Sequence, residues 1–264
     1  MSLRCNAWAG TVKGPNLGLE GKRTSMSIDI DTLFNRFGYI RLPRFRLSSP
    51  FLSKTSPRKR RQIQSKSAPT MPPIVHCVRH AQGTHNLPGF DPTRRDPPLT
   101  ETGEAQCAEL AAKFPVHSRI SQVFSSPLQR TVATAYLGFY PALKNGHCKP
   151  EILALPDAQE TSDYPLDTGS DLADLQRLWK QKGWSVDLSL VHDGWNDKSW
   201  DGRWAPTARR IKARARDARR TIREMVEEMQ KAGVQSPEVV LVSHGGFLHY
   251  FTEDWEDSDV YSGE

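Results

Sequence analysis

The sequence predicts an α/β protein, a three-layer α/β/α sandwich with a mostly parallel central sheet. Three observations carry this. From residue 74 onward short apolar runs alternate with amphipathic stretches, the order of a parallel sheet with crossover helices. The first and last of these runs, Ile74-Val75-His76-Cys77-Val78 and Val239-Val240-Leu241-Val242, are almost wholly apolar, as strands covered on both faces are. Each run ends in a histidine, Arg79-His80 after the first and Ser243-His244-Gly245-Gly246 after the last. Ligands of such sheets bind outside the carboxyl ends of the strands, so both histidines fall where a pocket is expected.

The elements follow in order. After the first strand comes a loop rich in Pro and Gly, Leu87 to Pro98. Thr100 reads as the N-cap of a helix from Glu101 to Phe114, with acids near its start that suit the helix dipole. Ile120 to Phe124 is a short strand, and Ser125-Ser126-Pro127 is expected to cap a helix from Leu128 to Phe139. A third strand spans Glu151 to Leu155. A helix follows from Asp171 to Lys182, with Leu172, Leu175 and Leu178 on one side. Residues 183–205 are rich in Trp, Asp and Gly without a period, and residues 161–205 are read as an inserted cap. The longest helix runs from Pro206 to Lys231, its apolar or small positions Ala208, Ile211, Ala215, Ala218, Ile222, Met225 and Met229 stepping by three or four. The fourth strand is Val239 to Val242.

Charge divides the 264 residues unevenly: residues 1–73 carry a net +11 and residues 74–264 a net −5. The basic character therefore belongs to the N-terminal segment, and nucleic acid is not an expected partner of the folded part. Residues 1–73 are Ser-rich, hold no acid between Thr32 and Pro73, and cannot easily bury a core. They are read as a disordered extension, with Met71 as an alternative start. A mitochondrial transit segment and a nuclear localisation signal at Arg58-Lys59-Arg60-Arg61 are competing readings; otherwise a cytoplasmic location is expected. No apolar run reaches membrane-spanning length, so no membrane partner is expected. The four cysteines, Cys5, Cys77, Cys107 and Cys148, lack metal-type spacing and are read as reduced thiols.

Arg79, His80, Asn86, Arg130 and His244 form the strongest chemical constellation. Arg130 lies just past the second strand, at the start of a helix, close to the rim that carries the histidines. Guanidinium groups match phosphate oxygens in a bidentate fork, and helix N-termini add oriented N–H donors. Converging on one rim, these residues suggest a phosphate pocket with a nucleophile. A metal site among His76, His80, His85 and His244 is the lesser alternative, since no carboxylate lies nearby in sequence. The basic run Arg209, Arg210, Lys212, Arg214, Arg216, Arg219, Arg220 and Arg223 reads as a solvated face. Trp184, Trp195, Trp200 and Trp204 either line a substrate pocket or pack the cap.

Arg79-His80-Ala81-Gln82-Gly83-Thr84-His85-Asn86 resembles the RHG motif of the histidine phosphatase (phosphoglycerate mutase-like) superfamily, with Ala81 in place of the usual Gly. Asp96-Pro97-Pro98-Leu99-Thr100-Glu101-Thr102-Gly103, Ser126-Pro127-Leu128-Gln129-Arg130-Thr131 and Ser243-His244-Gly245-Gly246 resemble its later motifs in the same order. The form is similar to a fungal branch of that family. The resemblance implies a histidine acid-type phosphatase that hydrolyses phosphomonoesters without metal or cofactor. His80 would be the nucleophile that becomes a phosphohistidine. Arg79, Asn86, Arg130, His244 and Gly245 would surround the phosphoryl group. A carboxylic acid after the third strand would protonate the leaving oxygen: Glu160 fits best, with Asp157 and Asp163 as alternatives. The implied substrate is a small phosphorylated metabolite. A phosphoglycerate mutase-like phosphotransferase and an inactive phosphate-ligand binder are the alternative readings, and the oligomeric state is left open. The chain stops 20 residues after His244, where such proteins continue, so a shortened C-terminal end is expected.

Overall fold

The computed structural model describes residues 4–8 and 73–254, which fall in one compact unit. The expectations for the rest of 1–73, and for the C-terminal end beyond Asp254, lie outside the described residues. Six parallel strands form one sheet: β1 (Arg4–Trp8), β2 (Ile74–Arg79), β3 (Ile120–Ser125), β4 (Ile152–Ala154), β5 (Val186–Asp187) and β6 (Glu238–Ser243), in the spatial order β1-β2-β6-β3-β4-β5. Arg4–Trp8 thus pairs with β2 at the sheet edge.

The helices are α1 (Glu101–Lys113), α2 (Gln129–Gly138), α3 (Tyr140–Lys144), α4 (Leu172–Lys182), α5 (Ala208–Lys231) and α6 (Gly245–Thr252). Thr100 caps α1, its hydroxyl accepting from the Gly103 N–H at 2.9 Å. α2 differs from expectation. Its N-cap residue is Leu128, which has no side-chain cap, and the Gln129 N–H is instead satisfied by the Asp96 carboxylate at 2.9 Å. Asp96 is 1 % exposed with φ +47°, and its other oxygen accepts from the Ser170 N–H and hydroxyl. One buried carboxylate therefore ties the 87–98 loop to the start of α2 and to the segment before α4.

One face of the sheet packs on α5 and α6 through Val75, Phe124, Val239, Leu241, Ile211, Ile222, Phe247 and Phe251. The other face packs on α1, α2 and α3 through Val78, Val123, Val240, Val242, Leu110, Ala135 and Phe139. β2, β3 and β6 are apolar on both sides because both sides are covered. A third cluster joins α2 and α4 to the 183–205 segment: Leu128, Val132, Leu175, Trp179, Val191 and Trp195 are buried together. Trp184 stacks on Trp179 and on Tyr136. Packing thus accounts for Trp184 and Trp195, and for Trp204, which lies against the same cluster, whereas Trp200 is 73 % exposed. Cys107 and Cys148 are free and buried, as reduced thiols would be, but Cys77 is disulfide-bonded. No helix of the described residues is long and apolar enough to cross a membrane.

Candidate active site

Strand register assembles the site. Arg79 pairs with Ser243, and the His80 N–H donates to the Ser243 carbonyl at 2.9 Å. The Ser126 N–H donates to Val242 and the Leu155 N–H to Ser125. The chain therefore leaves β2, β3, β4 and β6 at the same rim, carrying His80, Ser126, the 156–160 turn and His244.

His80 is 8 % exposed, and its Nδ1 lies 2.7 Å from the Ala81 carbonyl. A carbonyl only accepts, so Nδ1 carries the proton and Nε2 keeps its lone pair. Burial, and then the charge of Arg130, hold this imidazole well below its usual pKa, with Arg79 and His85 adding to the effect. The peptide that carries this carbonyl is itself fixed, its Gln82 N–H donating to the Gln106 carboxamide oxygen at 2.8 Å, and the Ala81 N–H donates to the Thr134 hydroxyl at 3.0 Å. Ala81 is not among the residues with positive φ, so a methyl group is tolerated where the family motif has Gly.

The loop after His80 lies directly on α1. The Thr100 N–H and hydroxyl both reach the Gln82 carbonyl, and a Cβ on Gly103 would sit 2.1 Å from that oxygen. The glycine at this point of the motif is therefore demanded by contact between backbones. Asn86 is exposed, and its carboxamide oxygen accepts from the Gly83 N–H at 3.0 Å.

His244 is fully buried, with its ring centroid 5.3 Å from that of His80. Its Nδ1 is 3.2 Å from Arg130 Nη2, which can only donate, so the neutral ring is protonated at Nε2 and donates to the Ser126 hydroxyl at 3.0 Å. Burial, then Arg130, His80 and Lys198, keep its pKa well below the usual value. Arg130 is 1 % exposed; Nη1 donates to the Leu166 carbonyl and Nη2 to Asp167, each at 2.7 Å. Its Nε–H has no partner among the described residues, an unspent donor on a buried cation. Arg79 is exposed, and a Cβ on Gly245 would be 3.6 Å from its Nε, an ordinary contact.

The three candidate carboxylates separate. Glu160 accepts from the Phe247 N–H at 3.0 Å and the Gly246 N–H at 3.3 Å, so it sits on the first turn of α6, which begins directly after His244. A Cβ on Gly246 would meet its Oε1 at 2.7 Å. Of the two glycines after His244, it is Gly246 whose missing side chain seats this carboxylate. Asp157 is held by Arg203 at 2.6 Å, and Asp163 is exposed. The structure thus brings His80, Arg79, Arg130, His244, Gly245 and Glu160 to one rim. His76 lies elsewhere, paired with Glu238 at 2.9 Å, and among the described residues no group of three or more His, Cys, Asp or Glu is arranged to hold a metal ion.

Several contributors are not evident from the sequence pattern. Asp167 holds Arg130, Thr134 holds the Ala81 N–H, and Gln106 holds the Gln82 N–H of the peptide that carries the Ala81 carbonyl. Lys198, 8 % exposed, donates to the carbonyls of Glu160 and Ser162, each at 2.8 Å. Arg214, 1 % exposed, donates to the carbonyls of Asp157, Gln159 and Glu160. It belongs to the run expected to be solvated. The signal was available: Arg214 lies three residues after Ile211 and four before Ala218, on the apolar stripe of α5.

A family model described as the histidine phosphatase superfamily (branch 1) matches residues 75–139, the span that contains Arg79, His80 and Arg130. Over those residues the chain is similar to the histidine phosphatase superfamily. It is 26 % identical over 215 residues to phosphoglycerate mutase-like protein 1 of Arabidopsis thaliana, covering 67 % of this chain and 69 % of that one. A second Arabidopsis thaliana phosphoglycerate mutase-like protein is 25 % identical over 218 residues, covering 66 % and 72 %. Among solved structures it is similar to the ecdysone phosphate phosphatase of Bombix mori in complex with tungstate, with TM-score 0.47, 17 % identity and coverage of 72 % and 82 %. A mycobacterial glucosyl-3-phosphoglycerate phosphatase bound to VO3 has TM-score 0.40, 21 % identity and coverage of 67 % and 77 %.

Proposed function

We propose that this protein is a histidine phosphatase, a metal-independent phosphomonoesterase working through a phosphohistidine on His80. The observation that carries the reading is the state of His80: Nδ1–H is committed to the Ala81 carbonyl and the Nε2 lone pair is available beside Arg130 and His244. Nε2 attacks phosphorus, the ester P–O bond breaks, and Glu160 gives its proton to the leaving oxygen. Water then attacks the phosphohistidine, Glu160 takes a proton from it, and inorganic phosphate and free His80 result. Arg79, Arg130, Asn86, the Gly245 N–H and His244 stabilise charge on the transferring group. The substrate is a small phosphorylated metabolite.

Hydrolysis of p-nitrophenyl phosphate from pH 4 to 8 in EDTA tests this. Release by the native chain that falls by at least roughly 10³-fold in His80→Ala is expected, given the usual cost of losing a nucleophile. Activity that needs added Zn²⁺ overturns the metal-independent mechanism. Phosphate binding without turnover at any pH leaves a binding protein in place of an enzyme.

A further inference from the structure

His85 has no role in the mechanism above, yet it stands as near the nucleophile as His244 does. Its ring centroid is 5.3 Å from that of His80. The short turn that carries it, Thr84–Asn86, is fixed at both ends: the Thr84 N–H donates to the Pro98 carbonyl, and the Gly83 N–H to Asn86. A Cβ on Gly83 would lie 2.5 Å from His85 Nδ1 and 2.6 Å from Cε1. The ring therefore occupies the space a side chain at residue 83 would fill, with the Phe90 ring centroid 6.3 Å away.

The two ring nitrogens differ. Nδ1 is sealed from solvent and has no hydrogen-bond partner, whereas Nε2 is not among the sealed, unpartnered atoms and accepts or donates no hydrogen bond within the described residues. A buried donor without an acceptor is rarer and costlier than a buried acceptor without a donor. The proton therefore belongs on Nε2, the nitrogen that is not sealed. The charged and titratable groups acting on this ring are Arg130 from α2, Arg79 from β2 and His80. Burial first, then these two cations, push its pKa down to about 4, so at neutral pH it is an uncharged N–H donor.

We propose that His85 is a substrate-binding residue whose neutral imidazole donates Nε2–H to a non-bridging oxygen of the phosphoryl group at His80. The proposal rests on the reading that His80 faces a phosphoryl group. It adds a third imidazole with a distinct duty: His80 offers a lone pair, while His85 offers a donor without a second positive charge beside Arg79 and Arg130. A neutral imidazole held in that form by its surroundings is an established way to stabilise an oxyanion without proton transfer.

Calorimetric titration of the full chain with inorganic phosphate and with vanadate at pH 7 tests the proposal without requiring turnover. His85→Phe keeps a ring against Gly83 and Phe90 but removes the donor; His85→Gln keeps an N–H at similar reach. Phosphate affinity is expected to fall roughly 10- to 100-fold in His85→Phe, the usual worth of a hydrogen bond to a charged group, and to recover in part in His85→Gln. Thermal unfolding of both variants should stay within a few degrees of wild type. ¹⁵N NMR should find His85 protonated at Nε2 and shifted by phosphate. Wild-type affinity in a folded His85→Phe, an Nδ1–H tautomer, or no phosphate binding by the native chain would each overturn the assignment. Weakened phosphate binding in His85→Phe, in a native chain that hydrolyses no phosphomonoester, would sink the hydrolytic reading and leave His85 in place.

Discussion

The proton of His80 is placed by the Ala81 carbonyl, and the peptides on both sides of Ala81 are held by side chains from other elements: the Gln82 N–H donates to Gln106 at 2.8 Å and the Ala81 N–H to Thr134 at 3.0 Å. Thr134 also donates to the Arg130 carbonyl at 2.7 Å, so a single side chain links the residue after His80 to the helix that carries Arg130. Thr134→Val keeps the shape and removes the link. The Ala81 N–H loses its partner, a cost of about 1–3 kcal/mol, and the residue whose carbonyl orients Nδ1 loses one of its two anchors. We expect kcat to fall about tenfold with KM nearly unchanged and the melting temperature to drop by a few degrees. Steady-state kinetics and thermal unfolding check this. Unchanged kcat would mean that the Nδ1 hydrogen bond survives without Thr134.

Between β4 and α4, the segment from Asp157 to Ser162 is held by cations from α5 and from the 183–205 segment. Arg214 of α5 takes three of its carbonyls, and Lys198 takes those of Glu160 and Ser162. Burial, and then Arg214, push the Lys198 amine down to about 7. A neutral amine still has two N–H donors for two carbonyls, so deprotonation removes charge without breaking the clamp. Lys198→Met removes both and should lower kcat about tenfold by loosening Glu160, with Lys198→Arg restoring part of it. The linkage has a definite sign. Between pH 7 and 10.5 the unfolded chain holds the Lys198 proton and the folded chain does not, so this group makes stability rise with pH there. Thermal unfolding should show wild type gaining on Lys198→Met as pH rises from 7 to 10; a gap independent of pH would contradict the shifted amine. This segment also marks the limit of what the sequence shows. β2, β3, β6, α1 and α5 are legible because apolar strands and a 3.6-residue stripe follow from local geometry. α6 and the two-residue β5 carry no comparable period. The Lys198 contacts, and the Asp96 carboxylate that caps α2 from 33 residues away, join loops through single side chains. Such long-range polar bonds leave no periodic trace.

Across the whole molecule, a parallel sheet covered on both faces puts every strand's carboxyl end at one rim and buries what stands there. His80 and His244 are 8 % and 0 % exposed, and both are held neutral. That suits the nucleophile and donor roles proposed for them, but it makes the fold sensitive to acid. Above pH 6.5 these imidazoles are neutral in the folded and unfolded chain alike and contribute nothing to pH dependence. As pH falls below 6.5 the unfolded chain takes up protons that the folded chain refuses, so stability declines. His85, which titrates at about 4, and His117, also lowered by burial, act in the same direction. Asp96 and Asp157 act oppositely: burial raises their carboxyls, so the folded chain takes up their protons first as pH falls toward the carboxylate range. Between pH 7.5 and pH 5 the histidines prevail, because in the unfolded chain they take up protons at higher pH than carboxyls do. With His80, His244, His85 and His117 acting together, the melting temperature should fall by several degrees over that range. In His80→Ala one of these imidazoles is gone, and the fall should be smaller than in wild type. An equal slope in both proteins would show that His80 titrates freely in the folded state, and the same result would remove the neutral nucleophile on which the proposed chemistry depends.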